Sequence, residues 1–136
     1  MIDVSQVDEE LRQGVVLWEA GRYVEAHEEF EQLWLAEVGG RRHFLRGLIH
    51  AAMGFHYVTV GDTVSAWSKL GSAGRLLEGF AGDFLGLDVD GLRAGIAAAR
   101  NVLEAARDAT PVNPRCVPIP RLTPAPDGTT GRGRTS

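Results

Sequence analysis

Three side chains in the segment 23–34, YVEAHEEFEQLW, have types and a spacing that could support chemistry. His27, Glu31 and Trp34 are four and then three residues apart, so on an α-helix they share one stripe. That stripe adjoins an apolar row, which consists of Tyr23, Ala26, Phe30 and Leu33. An imidazole and a carboxylate beside a packing face need polar partners, because an unpaired polar group is costly to bury. The functional question is whether those partners are a metal ion or other side chains.

A histidine and a carboxylate one helical turn apart can bind one divalent cation, as the two histidines of H-E-x-x-H motifs do. The second position here is Glu31, so the zinc-protease pattern is not matched. Because metal sites usually need three or four ligands, a third is required, and His56 is the best candidate by helical phase. His27, Glu31 and His56 would then hold zinc, iron or manganese, and a metal-dependent hydrolase is one candidate function. The same phase places His50 on the opposite side of its helix, so it is not expected to be a ligand.

The competing hypothesis is a structural network without a metal. In it, Arg22 or Arg42 holds the carboxylate of Glu31, His27 donates to that carboxylate or to a backbone carbonyl, and Trp34 is plain packing. Buried pairs of this kind fix helix register more than they add stability. With only two ligands in the motif itself, we favour the structural network over the metal site.

Helical periodicity runs through the first 108 residues and predicts an all-α fold of about five helices. The predicted helices cover about 6–20, 24–38, 41–60, a fourth that follows residue 62 and frays near 79–82, and a fifth that follows residue 88. Ser5, Asp62 and Asp88 are the expected N-caps, and Gly61 is the expected stop of the third helix. Residues 84–88 are expected to form a short loop.

A faint repeat relates two of these helices. A glycine turn is followed by a small residue five positions later and a large apolar residue four further on, both at Gly21–Phe30 and at Gly61–Leu70. This layout resembles helical-hairpin repeats such as tetratricopeptide units. The spacing of 40 residues exceeds their usual ~34, so we predict two loosely related antiparallel hairpins and a capping helix. A stripe of small residues on the third helix is expected to seat another helix of the same chain: Gly47, Ala51 and Gly54.

The C-terminal part has a different composition. All six prolines follow residue 110, so we divide the chain into one helical domain at 1–108 and a Pro/Gly/Arg-rich, mostly disordered tail at 109–136. Within the tail, residues 117–122 could form either a strap on the bundle or a loose linker. The domain carries 10 Lys+Arg against 17 Asp+Glu and the tail four Arg against one Asp, and this acidic domain argues against nucleic-acid binding as the main role.

Several other classes are excluded by what the sequence lacks. There is one cysteine, Cys116, so an intrachain disulfide cannot form. No leader and no apolar run near the ~20 residues of a membrane span are present, which predicts a cytoplasmic protein that does not enter membranes. Neither a Gly-x-Ser-x-Gly nucleophile turn nor a phosphate loop occurs.

Four segments together resemble a known family: EAGRYVEAHEEFEQLW at 19–34, FLRGLIHAAMGFHY at 44–57, GD at 61–62 and GLDV at 86–89. They are similar to domain of unknown function family 309, small bacterial and archaeal proteins marked by an H-x-x-x-E-x-x-W/Y motif, over about residues 11–105. The resemblance implies an all-helical fold, no established activity, and a metal-binding suggestion for the motif, which is His27, Glu31 and Trp34 here. The sequence departs from the family at Arg46 and His50, where glutamine is common, and at Asp62, where asparagine is usual.

These observations favour a compact helical binding or scaffold domain with the HxxxExxW motif facing inward. Its expected partner is another protein or a second copy of the chain. The alternative is the divalent-metal protein described above. No complete catalytic set is present, so the sequence does not decide whether the protein is an enzyme.

Overall fold

A computed structural model describes residues 3–105 and 113–124 and confirms the all-α prediction. In these residues the elements are a 3₁₀ turn at Glu9–Leu11, then α1 (Arg12–Glu19), α2 (Tyr23–Ala36), α3 (Arg41–Val60), α4 (Thr63–Leu76), β1 (Asp83–Phe84), β2 (Leu87–Asp88), α5 (Val89–Ala105) and a 3₁₀ turn at Pro114–Cys116. The described residues include no helix long and apolar enough to cross a membrane.

The four N-terminal helices form two hairpins, and α3 is the central helix. Short connections force sequential helices to pack as antiparallel neighbours, and α3 contacts both α2 and α4 extensively. The faces that meet form one continuous core, whose largest fully buried side chains include Trp18, Phe30, Phe44, Phe55, Leu45, Leu48 and Leu70. The site described below lies on the side of α3 that this core leaves uncovered.

Small residues let α3 and α4 approach closely. A methyl group at Gly54 would lie 2.7 Å from Leu70 Cγ, and one at Gly47 would lie 2.8 Å from Leu77 Cγ. Both leucines are fully buried. The glycine stripe therefore seats a helix of the same chain, as the sequence predicts.

Local signals set most helix ends. Gly61 ends α3 in the left-handed conformation with φ of 84°, and Asp62 caps α4 by accepting a hydrogen bond from the Ser65 backbone N–H. Asp88 likewise accepts from the Gly91 N–H at the start of α5. Each of these predicted caps is confirmed.

The predicted ends of the first two helices were wrong. The first helix begins at Arg12 after a 3₁₀ turn, and the backbone N–H of Ser5 donates to Asp3 in a local turn rather than Ser5 capping a helix. The second ends at Ala36, because Glu37 is extended. The predicted loop at 84–88 overlaps the two-residue strands β1 and β2, which are too short to show an alternating pattern.

Residues 113–124 lie against the bundle, and we call this segment the strap. Leu122 and Val117 are buried, and the indole Nε1 of Trp18 donates to the Pro120 carbonyl at 3.0 Å. Oε2 of Glu19 accepts hydrogen bonds from the Leu122 N–H at 2.8 Å and from both the N–H and the hydroxyl of Thr123 at 3.1 Å. Of the two alternatives for 117–122, the strap is therefore correct. The remaining tail residues, for which we predicted disorder, lie outside the described residues.

Candidate functional site

The motif of α2 brings its histidine and glutamate together as predicted. Nε2 of His27 lies 3.8 Å from Oε1 of Glu31, and the two side chains are 22% and 45% exposed. This distance is longer than a hydrogen bond, so the contact is a loose pair that becomes ionic only when the imidazole is protonated. Glu31 therefore keeps much of its carboxylate available to solvent or to a ligand.

Neither arginine that we considered for Glu31 pairs with it. Arg22 forms an ion pair with Glu25 at 2.9 Å. The guanidinium of Arg42 stacks over the indole ring of Trp34, 4.0 Å from its centroid. Trp34, which we expected to be plain packing, is thus the platform for a cation.

The predicted metal ligands do not converge. Among the residues that the structure describes, no three His, Cys, Asp or Glu side chains are placed to hold a metal ion. The third candidate, His56, contacts the neighbouring ring of Tyr57 at 5.7 Å between centroids. The metal hypothesis therefore has two adjacent side chains and lacks a third.

The antiparallel register of α2 and α3 explains why His56 is not the residue opposite the motif. At one end of the pair Trp34 meets Arg42, and at the other Tyr23 meets Phe55 at 6.5 Å between ring centroids. Halfway between these contacts, His27 faces the part of α3 around residue 50. His56 lies beyond the Tyr23 contact, more than one turn too far along α3.

His50 is the site residue that the sequence reasoning missed. Its side chain is half-buried, and burial is the main cause that lowers its pKa from the ordinary value near 6.5. The positive charges of four neighbours lower the pKa further, and these are Lys69, Arg46, His27 and Arg75. His50 is therefore the point at which charged groups from α2, α3 and α4 approach one another.

Both histidines leave a buried nitrogen atom unsatisfied. Nδ1 of His27 and Nδ1 of His50 are inaccessible to solvent and have no hydrogen-bond partner in the described residues. Most buried polar atoms in native structures are paired with protein or ordered water, so each exception calls for an explanation. Two such atoms on neighbouring helices indicate a place where a water molecule or a ligand completes the structure.

The basic residues whose charges lower the pKa of His50 include Arg46, one helical turn away on α3, and Lys69 of α4, and we call these three residues the cationic face. Within the described residues, neither Arg46 nor Lys69 forms an ion pair, and Arg75 donates a hydrogen bond to the Ser72 hydroxyl. At the Arg46 end lies a cavity of about 240 Å³, lined by Trp34, Gly39, Gly40, Arg42, His43 and Arg46. The indole of Trp34, the guanidinium groups of Arg42 and Arg46 and the imidazole of His43 thus border this cavity.

A larger groove of about 510 Å³ separates α4 from α5, and its lining includes Arg75, Arg93 and Arg100. Arg93 donates to the Phe80 carbonyl, while Arg100 donates to the Trp67 carbonyl and stacks over the Trp67 ring at 4.4 Å. Arg93 and Arg100 therefore serve to hold elements of the bundle together. The cationic face is the better candidate for a binding site.

The lowered pKa of His50 predicts a pH-dependent stability. The unfolded chain binds a proton near pH 6.5 while the folded chain resists it, so stability should fall as the pH drops from about 6.5 toward the folded pKa. Replacing His50 with glutamine should remove this part of the dependence. Urea denaturation of both proteins between about pH 8 and about pH 5 measures it. If the free energy of unfolding changed with pH in the same way for both proteins, the burial of a neutral imidazole at this position would be contradicted.

The comparison with known proteins supports the predicted family resemblance, but over a shorter range than the residues 11–105 suggested by the motifs. Residues 11–68 match the model of the domain of unknown function DUF309. The matched range contains α1, α2, α3 and the first residues of α4, and it includes His27, Glu31, Trp34 and His50. A search of curated proteins found no match. The resemblance thus covers the motif helices and ends before Lys69 and Arg75.

Proposed function

We propose that this chain is a cytoplasmic binding domain whose small-molecule ligand occupies the polar surface shared by α2, α3 and α4. The observation that carries the proposal is the pair of buried, partnerless Nδ1 atoms on His27 and His50. A polar atom held away from water without a partner lowers stability, so free energy is gained when a ligand displaces these imidazoles enough to supply the missing hydrogen bonds.

The surroundings of the two histidines support a ligand over a purely structural role. A structural network would satisfy its own members, whereas Glu31 has only a 3.8 Å contact to His27. The adjoining cavity has an aromatic wall at Trp34 and a few polar groups, which is the usual composition of small-molecule sites. Its volume of about 240 Å³ fits a small ligand, or the head group of a larger one.

A thermal-shift screen of the purified full chain against small metabolites tests the proposal, with titration calorimetry on every hit. At a concentration of 100 Kd, a specific ligand should add about 2.7 kcal/mol of stability and raise Tm by several degrees. His27→Ala and His50→Ala should abolish the shift, because each removes a group that the ligand contacts. His56→Ala is the matched control, because His56 lies on α3 more than one turn from the part that faces His27. The ligand should raise the Tm of this variant as much as that of the parent protein.

Two results would contradict the proposal. One is a chemically broad panel in which no compound raises Tm. The other is a set of hits that stabilise His50→Ala as strongly as the parent, which would place the ligand elsewhere.

A divalent-metal function has less support, and it makes a different prediction. Its basis is the adjacency of His27 and Glu31. If it is correct, elemental analysis of purified protein should find stoichiometric zinc, iron or manganese that disappears in His27→Ala and also in His56→Ala. Binding of a small organic ligand predicts that His56→Ala changes nothing.

A further inference from the structure

We propose that the ligand is a small dicarboxylate, whose two carboxylate groups bind Arg42 and Arg46 in the cavity at the start of α3. The proposal rests on the proposed function, which places a ligand beside this cavity, and it adds the chemical class. It follows from the lining of the cavity, from the ion pairs that its arginines lack, and from the way in which Trp34 holds one of them.

The cavity at the start of α3 brings cationic groups together without an acidic one. Arg42 and Arg46 are one helical turn apart, and both line the cavity together with the imidazole of His43. No carboxylate of the described residues lines it. The groove between α4 and α5 differs, because Glu78 and Asp90 lie among its three arginines. A cleft lined by one sign of charge concentrates ligands of the opposite sign, so the cavity favours an anion.

Neither arginine of the cavity forms an ion pair in the part of the chain that the structure describes. The preceding residue, Arg41, is by contrast enclosed by three carboxylates. These belong to Asp8, Glu10 and Glu37. Glu37 is the acidic residue of the turn before α3, and it accepts from Arg41 at 2.8 Å and from the Gly39 N–H at 3.0 Å. The carboxylate closest in sequence is therefore engaged elsewhere, and the charges of the cavity are left for something outside the chain.

The indole of Trp34 holds the guanidinium of Arg42 in a defined plane. The guanidinium carbon lies 4.0 Å from the ring centroid. Stacking of this kind uses the face of the group and leaves the N–H donors at its edge free. Within the described residues, none of these donors forms a hydrogen bond. A planar set of donors that is already oriented matches the two oxygens of a carboxylate and loses little conformational entropy when it binds one.

Two carboxylates suit the two arginines better than one anionic centre does. Stacking draws Arg42 toward α2, whereas no contact within the described residues draws Arg46 the same way. Side chains four residues apart on a helix have Cβ atoms about 5–6 Å apart, so a short carbon chain can give each guanidinium its own carboxylate. A monocarboxylate would leave one guanidinium unneutralised. The volume of about 240 Å³ lies below the ~300–1,000 Å³ of drug-sized sites, which restricts the ligand to a small molecule.

Titration calorimetry of the full chain with unbranched dicarboxylates, from malonate to adipate, tests the assignment. Acetate and inorganic phosphate at equal ionic strength are the comparison anions. We expect saturable binding with a clear optimum of chain length. Acetate should bind at least about tenfold more weakly than the best dicarboxylate, because it meets only one guanidinium. Phosphate should also bind more weakly, because its oxygens surround a single centre.

Variants separate recognition of a carboxylate from a general effect of charge. Arg46→Gln should weaken binding of the best dicarboxylate about tenfold to a hundredfold, because it loses charge-assisted hydrogen bonds. Arg42→Lys keeps the charge but loses the planar donor set, so it should also weaken binding about tenfold. Arg115→Gln is the matched control, since this exposed arginine of the strap lines a different cavity with Thr59, at the other end of α3. This control should bind like the parent protein.

Three results would each overturn the assignment: acetate that binds as tightly as every dicarboxylate, phosphate that binds more tightly than all of them, and an Arg42→Lys variant that binds like the parent. Such a failure is distinct from a failure of the proposed function. A hit of the metabolite screen that requires His50 but not Arg42 would preserve the binding function and refute the dicarboxylate. A dicarboxylate that binds His50→Ala as tightly as the parent would support the cavity as a site and count against the proposed function.

Discussion

Replacing Glu19 with alanine should lower the free energy of unfolding by about 3 kcal/mol, because one carboxylate oxygen anchors the strap to α1. Oε2 of Glu19 accepts from two backbone N–H groups and one hydroxyl, at Leu122 and Thr123. Both of these strap residues are buried, so the variant leaves donors that solvent cannot easily reach. Urea denaturation followed by circular dichroism measures the loss.

Glu29→Ala is the matched control for this experiment, since Glu29 is an exposed glutamate on α2. Its stability should stay within about 0.5 kcal/mol of the parent, as usual for surface substitutions. If the two alanine variants were equally stable, the strap would contribute nothing to folding. In that case the buried contacts of Leu122 would add little to the stability of a bundle that folds without them.

The parts of the fold that were predictable depend on local chemistry. The boundaries 41–60 of α3 follow from its apolar stripe and from Gly61, whose left-handed conformation suits glycine best. Asp62 and Asp88 cap the helices that follow them, because a side-chain oxygen needs only the next turn of its own chain. Such signals act over a few residues and can be recognised in one sequence.

The strap was not predictable in the same way. Its hydrogen bonds join residues 102–104 positions apart, from Trp18 and Glu19 to the segment 120–123. A proline-rich segment gives no periodic pattern, because polyproline-like backbone lacks internal hydrogen bonds. Whether such a segment docks depends on acceptors and apolar surface contributed by a distant helix.

In the candidate site, too, features within one helix were predictable and features that depend on two helices were not. The adjacency of His27 and Glu31 is a property of one helix, and it was predicted. The approach of His50 to His27 depends on two helices, and it was missed. The face of α3 that meets α2 was assigned from Leu45 and Ile49, without using the register that the turn at 37–40 imposes. Aligning Trp34 with Arg42 through that turn would have placed residue 50 opposite His27.

The double substitution Gly47→Ala/Gly54→Ala should also destabilise the protein, by about 2 kcal/mol, although alanine is the better helix former. Each methyl group would overlap a fully buried leucine, Leu77 or Leu70, at 2.8 and 2.7 Å from its Cγ. Overpacking typically costs about 1–3 kcal/mol at each site, while each glycine-to-alanine exchange in a helix returns about 1 kcal/mol. Urea denaturation of the variant measures the balance of these two effects.

Gly74→Ala is the control that measures the effect of helix propensity alone, because its methyl group would meet only Ile96 Cγ2, at an ordinary 3.9 Å. The free energy of unfolding of this control should rise by up to about 1 kcal/mol. If the double variant were also more stable than the parent, the close packing of α3 on α4 would be refuted.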